Sequence, residues 1–247
     1  MLMRSRRARR RAAKAALGVV GADMGEEYTA PADDRALPCY GSLMSAPLDQ
    51  RRRGSPGERQ ARGAEAGPSG GPAIRPARLS DAGDFGTYVV EHMGESGREG
   101  SPIFALSGAV SRDDIRSRSL ERWARAITEP LWGRAWLLWA EEPRRVVGHI
   151  ELVGGRVPSE LHRAVLAMGM LRPHTGKGNG ARLIDTAAAW ARSEAKLSWI
   201  DLGVFADNMP ARKLYTRMGF VELGFRRDAF RLADETSIDD VQMSLRL

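Results

Sequence analysis

The sequence predicts an α/β (α+β) domain in which a mixed β-sheet carries helices on its faces. From residue 73 onward, short apolar runs rich in β-branched and aromatic residues alternate with longer segments of helical periodicity. One of these runs, residues 161–171, leads through a glycine-rich turn directly into an amphipathic helix. Elements that alternate in this way pack in layers around one hydrophobic core, so residues 73–247 are predicted to form a single domain.

Residues 1–72 are predicted to lie outside that domain, as a disordered basic leader followed by a Gly/Pro/Arg-rich linker. They hold 13 Lys and Arg against 8 Asp and Glu, which accounts for most of the net charge of +7. Residues 45–72 contain almost no apolar side chains and cannot offset the entropy cost of ordering. A signal peptide is disfavoured because the apolar stretch behind the arginines is short and broken by glycine. A nucleic-acid-binding arm is disfavoured because no aromatic residues are interleaved.

Composition excludes several classes of protein. Cys39 is the single cysteine, so neither an intrachain disulfide nor a cysteine-based metal site can form. No apolar run approaches the roughly 20 residues that cross a bilayer. The near-neutral charge of residues 73–247 gives no preference for polyanions. We therefore expect a soluble, cytoplasmic protein that binds no metal, no membrane and no nucleic acid.

The domain is predicted to begin with one strand and two helices. Residues 74–78 form the strand, and Ser80 and Asp81 supply the side-chain cap of the first helix. Ser111 has capping-box spacing with an acidic residue three positions on, which predicts a second helix. This helix should end near Thr128, because a proline follows shortly after it.

The remaining strands are predicted from apolar, β-rich segments. Residues 135–140 and 146–153 form a hairpin across the turn EEPRR. Residues 199–205 form a further strand, and residues 220–225 and 241–247 close the sheet. Before these two closing strands, a short helix with a proline in its first turn should end at a glycine with left-handed backbone angles.

The glycine-rich turn is suited to binding phosphate. Gly176, Gly178 and Gly180 permit backbone angles closed to other residues, so successive N–H groups can converge on one anion. Lys177 adds a positive charge. The helix that starts at Ala181 directs the positive end of its dipole at the same anion. Its apolar stripe consists of Leu183, Ile184, Ala187, Trp190 and Ala191.

Two nucleotide-binding motifs compete for this turn. A P-loop needs glycine at Leu171 and serine or threonine at Gly178, so that motif fails at both positions. A dinucleotide fingerprint is satisfied by Gly176, Gly178 and Ala181, with Asp201 about 20 residues on as the ribose partner. Against this second motif, Asp201 stands near the start of its strand, and too few strand–helix units follow to complete the fold.

A third interpretation covers more of the chain. Residues 168–220 resemble the GNAT superfamily of N-acetyltransferases, whose pyrophosphate loop has the pattern Q/R-x-x-G-x-G/A. Residues 175–180, T-G-K-G-N-G, match both glycines of that pattern. A second family pattern, N-x-x-A-x-x-L-Y-x-x-x-G-F, is matched in full by Asn208, Ala211, Leu214, Tyr215, Gly219 and Phe220. Looser matches at residues 74–82 and 146–152 extend the resemblance over nearly all of residues 73–247.

The resemblance implies a mostly antiparallel sheet that is splayed at an acetyl-CoA site. It also implies acetyl transfer from acetyl-CoA, as co-substrate, to an amine that attacks the thioester directly. Tyr215 is the residue it assigns as general acid, giving a proton to the departing thiolate. Backbone groups of Met170 and Leu171 would pair with the pantetheine arm, and Asn208 would contact that arm or cap its helix. The residues assigned to acetyl-CoA binding are Met170, Leu171, Gly176, Lys177, Gly178, Asn179, Gly180, Ala181 and Asn208.

Two positions depart from the family pattern. Thr175 stands where a cation often binds the pyrophosphate, so binding would rely more on Lys177, Arg182 and backbone amides. Gly203 stands where some members of the family carry a glutamate base. Glu151 and His162 are the candidates for a base elsewhere, and the sequence leaves that role unassigned.

The acceptor is expected to be a small-molecule or peptide amine, whose identity the sequence leaves open. Residues 94–133 should shape its site. Three tryptophans can be interpreted either as walls of that site or as core residues, namely Trp123, Trp132 and Trp136. Two other functions stay as alternatives, a noncatalytic acyl-CoA-binding regulatory module and a dinucleotide-binding oxidoreductase. A homodimer is an assembly that the sequence also leaves open.

Overall fold

The computed structural model describes residues 72–105, 110–232 and 234–247. Except for Pro72, the predicted leader and linker lie outside these residues, so that division of the chain stays a prediction. The strands in the described part are β1 (Ala73–Pro76), β2 (Gly133–Ala140), β3 (Arg145–Gly154), β4 (Arg163–Met170), β5 (Trp199–Phe205), β6 (Val221–Arg231) and β7 (Ser237–Arg246). The helices are α1 (Ala82–Gly94), α2 (Arg112–Ala124), α3 (Asn179–Ser193) and α4 (Met209–Arg217).

The strands form one mixed sheet in the order β1-β2-β3-β4-β5-β7-β6. Among these neighbours, β4 and β5 run parallel and the other pairs run antiparallel. The predicted mixed, mostly antiparallel sheet is therefore confirmed.

The sheet opens between β4 and β5. These strands pair only over residues 163–165 and 199–201, at their amino ends. Beyond that point each strand is held from its other side, β4 by β3 as far as Met170 and β5 by β7 as far as Phe205. Because the two strands follow different partners in a twisting sheet, a gap forms between their carboxyl ends. The predicted splay lies at this gap.

Helices cover both faces of the sheet, as predicted. On one face, Phe85 of α1 lies edge-on against His149 of β3, with ring centroids 5.1 Å apart. On the other face, Trp190 of α3 packs against Trp136 of β2 at 5.3 Å. Trp136 pairs with Ile150, the neighbour of His149, and successive residues of a strand point to opposite faces. Within the described ranges, no helix combines the length and apolar composition needed to cross a membrane.

The two predicted helix caps have different outcomes. Ser111 caps α2 as predicted, its hydroxyl accepting from the N–H of Asp114 at 3.1 Å. Asp81 does not cap α1 with its side chain. Its carboxylate accepts instead from the Arg75 guanidinium at 2.7 Å and from the N–H of Arg78 at 2.8 Å. A hydrogen bond from the charged Arg75 guanidinium is stronger than one from a helix amide, so the Asp81 carboxylate binds Arg75. This contact joins β1 to the start of α1.

Three element ends lie four or more residues from the predicted bounds. Arg125 directly after α2 is already extended, before the predicted end at Thr128, and its carbonyl accepts from Arg134 of β2 at 3.0 Å. β6 continues past residue 225, and β7 starts before residue 241. The two strands pair with each other through register shifts, and β6 is largely exposed at the sheet edge. An exposed edge strand need not alternate apolar and polar residues, so the full length of β6 could not be predicted from the hydrophobic pattern.

The three tryptophans of the predicted acceptor site belong to the hydrophobic core. Trp132 is fully buried, and Trp123 and Trp136 are nearly so. All three lie in the main cluster of buried apolar residues. Trp132 also packs edge-on against Trp190 of α3, with ring centroids 5.8 Å apart. They hold α2 and α3 on the sheet and do not form walls of a site.

Candidate active site

The gap between β4 and β5 opens into a cavity of about 660 Å³. Its walls come from both strands, the glycine-rich turn, the first turn of α3, one face of α4 and the loop after α1. Seven predicted site residues line it, namely Met170, Gly176, Gly178, Gly180, Ala181, Asn208 and Tyr215. The other three, Leu171, Lys177 and Asn179, lie outside the lining. Segments distant in the sequence therefore meet around one cavity.

The glycine-rich turn presents backbone amides to the cavity. Gly176 and Gly178 have φ of +72° and +80°, in the left-handed region that strongly favours glycine. A Cβ added to either residue would meet nothing within 4 Å, so there is open space beside the turn. The amides in the first turn of a helix lack intrahelical partners, and those of residues 179–181 begin α3 directly after this turn. The arrangement is suited to a phosphate group.

Side chains beside the turn fix its shape. Asn179 is buried, and its amide donates to the carbonyl of His174 at 3.1 Å. Arg182 donates to the Oδ1 of Asn179, also at 3.1 Å. Thr175, at the position where the family often has a cation, donates its hydroxyl to the carbonyl of Arg172 at 2.8 Å. Asn179 and Thr175 therefore brace the turn through their side chains.

The carboxyl end of β4 supplies the strand edge of the cavity. Both main-chain groups of Leu171 are bonded within the chain, its N–H to the carbonyl of Val147 and its carbonyl to the N–H of His174, each at 2.9 Å. In an antiparallel pair, successive residues direct their main-chain groups to alternate sides. Met170 and Met168 therefore direct theirs into the gap, and both line the cavity. A ligand that pairs with β4 would meet these two methionines and not Leu171.

α4 carries Tyr215 into the cavity wall and is fixed at both ends. At its start, the side chain of Asn208 accepts from the N–H of Ala211 at 3.2 Å, which confirms the predicted cap. At its end, Gly219 has φ of +91°, as expected for a left-handed glycine. The Tyr215 ring packs 5.6 Å from that of Phe220 and is only 7% exposed. Burial raises the pKa of Tyr215 to about 12, so the phenol keeps its proton.

Neither candidate base from the sequence reaches the cavity. The Glu151 carboxylate accepts from the Arg122 guanidinium at 3.2 and 3.1 Å and from the indole N–H of Trp123 at 2.9 Å. It therefore joins α2 to β3 inside the protein. His162 is exposed, with its Nδ1 3.1 Å from the carbonyl of Ser159. Neither residue lines the cavity, so the position of these two candidates does not support either of them as the base.

The buried Arg122–Glu151 pair predicts a large effect on stability. We expect Glu151→Ala to lower the free energy of unfolding by about 3–5 kcal/mol, because it leaves the Arg122 charge buried without its partner. Urea denaturation measures this loss. Glu91→Ala is the matched control, since it removes a carboxylate from an exposed pair with Arg145 and should cost less than about 1 kcal/mol. Equal losses in the two variants would contradict the structural role of Glu151.

His92 and Glu95 line the cavity and were not among the site residues predicted from the sequence. His92 lies in the last turn of α1 between the rings of Tyr88 and Phe104, with centroids 5.8 and 4.5 Å away. Burial lowers the pKa of His92 to about 4, so the ring is neutral. Glu95 directly follows α1 and accepts from the N–H of Arg172 at 3.1 Å. A histidine on the apolar face of a helix is typical of a core position, so no local signal marked it.

The elements around the cavity are those that the sequence resemblance implies. A sheet splayed between two parallel strands, a glycine turn opening a helix and a tyrosine in the facing helix are together expected of a GNAT acetyltransferase. Residues 106–220 match the model of the acetyltransferase (GNAT) family. The chain therefore contains a domain of that family, and the resemblance is confirmed. Among the described residues, no group of three or more His, Cys, Asp or Glu side chains is placed to hold a metal ion.

Solved structures share the fold. The acetyltransferase of the GNAT family from Streptococcus pneumoniae gives a TM-score of 0.60 at 18% identity, covering 71% of this chain and 99% of its own. The ribosomal-protein-alanine N-acetyltransferase from Brucella melitensis gives 0.57 at 20% identity, with coverages of 71% and 99%. A protein from Salmonella typhimurium, solved with its cofactor acetyl-CoA, gives 0.57 at 16% identity, with 71% and 94%. At these identities the likeness establishes the fold.

Proposed function

We propose that this chain is an N-acetyltransferase that transfers an acetyl group from acetyl-CoA to a primary amine of a small molecule or protein. The observation that carries the proposal is the cavity at the β4–β5 gap. A glycine-rich turn suited to a phosphate group lines that cavity, a strand edge runs along it, and a protonated phenol lies in its wall. The match of residues 106–220 to the acetyltransferase (GNAT) family agrees with acetyl transfer as the reaction.

The residues at the gap fit acetyl-CoA. The open space before Gly176 and Gly178 leaves room for a pyrophosphate against the amides at the start of α3. Main-chain groups of Met168 and Met170 are placed to pair with an extended amide chain such as pantetheine, as a neighbouring strand would. Arg217 also lines the cavity and adds positive charge to its wall. When bound, acetyl-CoA supplies the acetyl group as an activated thioester.

Tyr215 is the general acid in this proposal. Its phenol keeps the proton at neutral pH, because burial raises its pKa to about 12. The same burial disfavours a free thiolate in the cavity, so a proton passes from the phenol as negative charge develops on sulfur. The hydroxyl then recovers its proton from solvent.

The position of Asp201 argues against the oxidoreductase alternative, in which its carboxylate would bind a ribose. Asp201 lies where β4 and β5 are still paired, at the closed end of the gap. Its carboxylate accepts from the Arg163 guanidinium at 2.7 and 2.6 Å and from the hydroxyl of Ser244. A carboxylate held in this way is not placed to bind a ribose.

Calorimetry and thiol release test the proposal together. Acetyl-CoA should bind at least about tenfold more tightly than NADPH, because only an acyl-CoA has a pantetheine arm to pair with β4. Thiol release should then depend on an added amine, tested with spermidine, alanine amide and phenethylamine. Tight acetyl-CoA binding without amine-dependent thiol release would favour a noncatalytic acyl-CoA-binding module. Preference for NADPH would favour the oxidoreductase.

A further inference from the structure

We infer that His92 is the general base that takes a proton from the acceptor amine, and that Glu95 positions its ring. The inference rests on the proposed acetyl transfer and assigns the role that the sequence left open. Three observations carry it: the place of the ring over β4, the lack of a partner for one of its nitrogens, and the carboxylate beside that nitrogen.

The imidazole of His92 lies directly over β4 at the gap. A Cβ added to Gly169 would sit 2.4 Å from Nε2 and 2.6 Å from Cδ2 of the ring. Glycine at this position therefore makes room for the histidine. Gly169 stands between Met168 and Met170, whose main-chain groups face the gap. The ring thus covers the strand along which the acyl arm would lie, and His92 itself lines the cavity.

The two ring nitrogens have different surroundings. Nδ1 is inaccessible to solvent and has no hydrogen-bond partner in the described residues. A buried polar atom without a partner is costly, so a functional reason is expected. The nearest charge is Oε2 of Glu95, 3.8 Å from Nδ1, which is too long for a hydrogen bond. A proton accepted at Nε2 would leave an Nδ1–H directed at Glu95, and the carboxylate would stabilise the charged ring.

The neighbours of His92 keep the ring neutral until it accepts a proton. The titratable groups that face it are Tyr88 from α1, Glu95 directly after α1 and His149 from β3, while β4 presents Gly169. Burial outweighs the Glu95 carboxylate and lowers the pKa of His92 to about 4. Such a base is too weak to deprotonate a free alkylammonium ion, whose pKa is near 10. The amine must therefore enter neutral, and its proton becomes acidic enough to transfer as the new bond forms.

The step balances in atoms and electrons. The lone pair of the amine nitrogen forms a C–N bond to the thioester carbonyl carbon, and an N–H proton passes to Nε2 of His92. The C–S bond breaks with its electron pair on sulfur, which takes the hydroxyl proton of Tyr215. The products are an amide and a thiol. Solvent then takes a proton from His92 and gives one to Tyr215, which restores the starting protonation state of both residues.

His92→Gln tests the inference, with His162→Gln as the matched control on the exposed surface. We expect His92→Gln to lower kcat by about a hundredfold or more with the best amine of the panel, since general base catalysis contributes about 10²–10⁴. The Kd for acetyl-CoA from calorimetry should stay within about threefold, because the turn and the strand edge are intact. His162→Gln should leave both quantities unchanged.

Two further measurements separate a base from a packing residue. His92→Ala should recover activity when imidazole is added, because the vacated space admits the missing ring, whereas a packing defect would not respond. Glu95→Gln should move the acidic limb of the kcat profile to lower pH, since a charged ring without its carboxylate is less stable. In wild-type protein, adding CoA and phenethylamine should shift the ring NMR resonances of His92 and not those of His162.

The outcomes distinguish this inference from the proposed function. If the wild type turns over an amine and His92→Gln stays within about threefold of it, the base assignment is overturned while acetyl transfer stands. The base assignment is also overturned if imidazole gives no rescue and the NMR resonances of His92 do not respond. If the wild type turns over no amine of the panel, the proposed function and this inference fall together.

Discussion

Replacing Tyr215 with phenylalanine should lower kcat for acetyl transfer by about 10²–10³-fold, within the range of general acid catalysis. Phenylalanine keeps the ring that packs against Phe220 but lacks the hydroxyl that we propose as the proton donor to sulfur. The Kd for acetyl-CoA should stay within about threefold, because the substitution leaves the glycine-rich turn and the β4 edge unchanged. Steady-state kinetics and calorimetry on the same preparations measure both quantities.

The pH dependence of wild-type kcat provides a second check on Tyr215. Because burial raises its pKa to about 12, the acid form persists through pH 10, and loss of the phenol proton should not limit kcat below that pH. A Tyr215→Phe variant with nearly wild-type kcat, or a wild-type alkaline limb near pH 8 that this variant abolishes, would contradict the assignment. Thermal unfolding of the variant shows whether a loss of activity reflects a loss of fold.

Gly178→Asp should raise the Kd for acetyl-CoA by about a hundredfold or more. The substitution puts a carboxylate at the phosphate turn, and two unit charges about 5 Å apart repel by about 3 kcal/mol at an effective dielectric constant near 20. The residue also has φ of +80°, which adds backbone strain for any side chain. Calorimetric titration with acetyl-CoA measures the effect.

Two matched variants separate charge from shape at this turn. Gly178→Asn has nearly the same shape as Gly178→Asp and the same backbone strain but lacks the charge, so its Kd should lie between those of wild type and Gly178→Asp. Gly224→Asp adds the same charge on the edge strand β6, where a Cβ meets nothing within 4 Å, and should not change the Kd. If Gly178→Asp and Gly178→Asn weaken binding equally, the turn does not hold an anion.

Local sequence was sufficient for the features that depend on neighbouring residues. The cap at Ser111 needs only its own helix start, and the left-handed glycines at 178 and 219 follow from their turns. The splayed sheet came from the family resemblance, since strand pairing across β4 and β5 is not encoded by periodicity. The position of Tyr215 could be predicted because its motif covers a whole helix, from the Asn208 cap to the terminal glycine. That helix places Tyr215 in the cavity wall.

The features that sequence reasoning missed depend on contacts between distant segments. Glu151 had the pattern of a strand residue open to solvent, yet α2 brings Arg122 and Trp123 onto it. His92 had the pattern of a core histidine, yet Gly169 of β4 makes room for it at the cavity. The residues next to Glu151 and His92 in the sequence do not indicate these contacts. The base could therefore be sought only once the strands and α1 had been placed together.

Transfer of a radiolabelled acetyl group tests the central claim most directly, because thiol release alone also reports hydrolysis of acetyl-CoA. Wild-type protein is incubated with labelled acetyl-CoA and each amine of the panel, and the label is recovered from the separated amine. We predict labelled amide with at least one amine, formed at a rate that Tyr215→Phe reduces by about a hundredfold or more. Label that stays with CoA or appears only as acetate, while acetyl-CoA binds tightly, would contradict acetyl transfer to an amine.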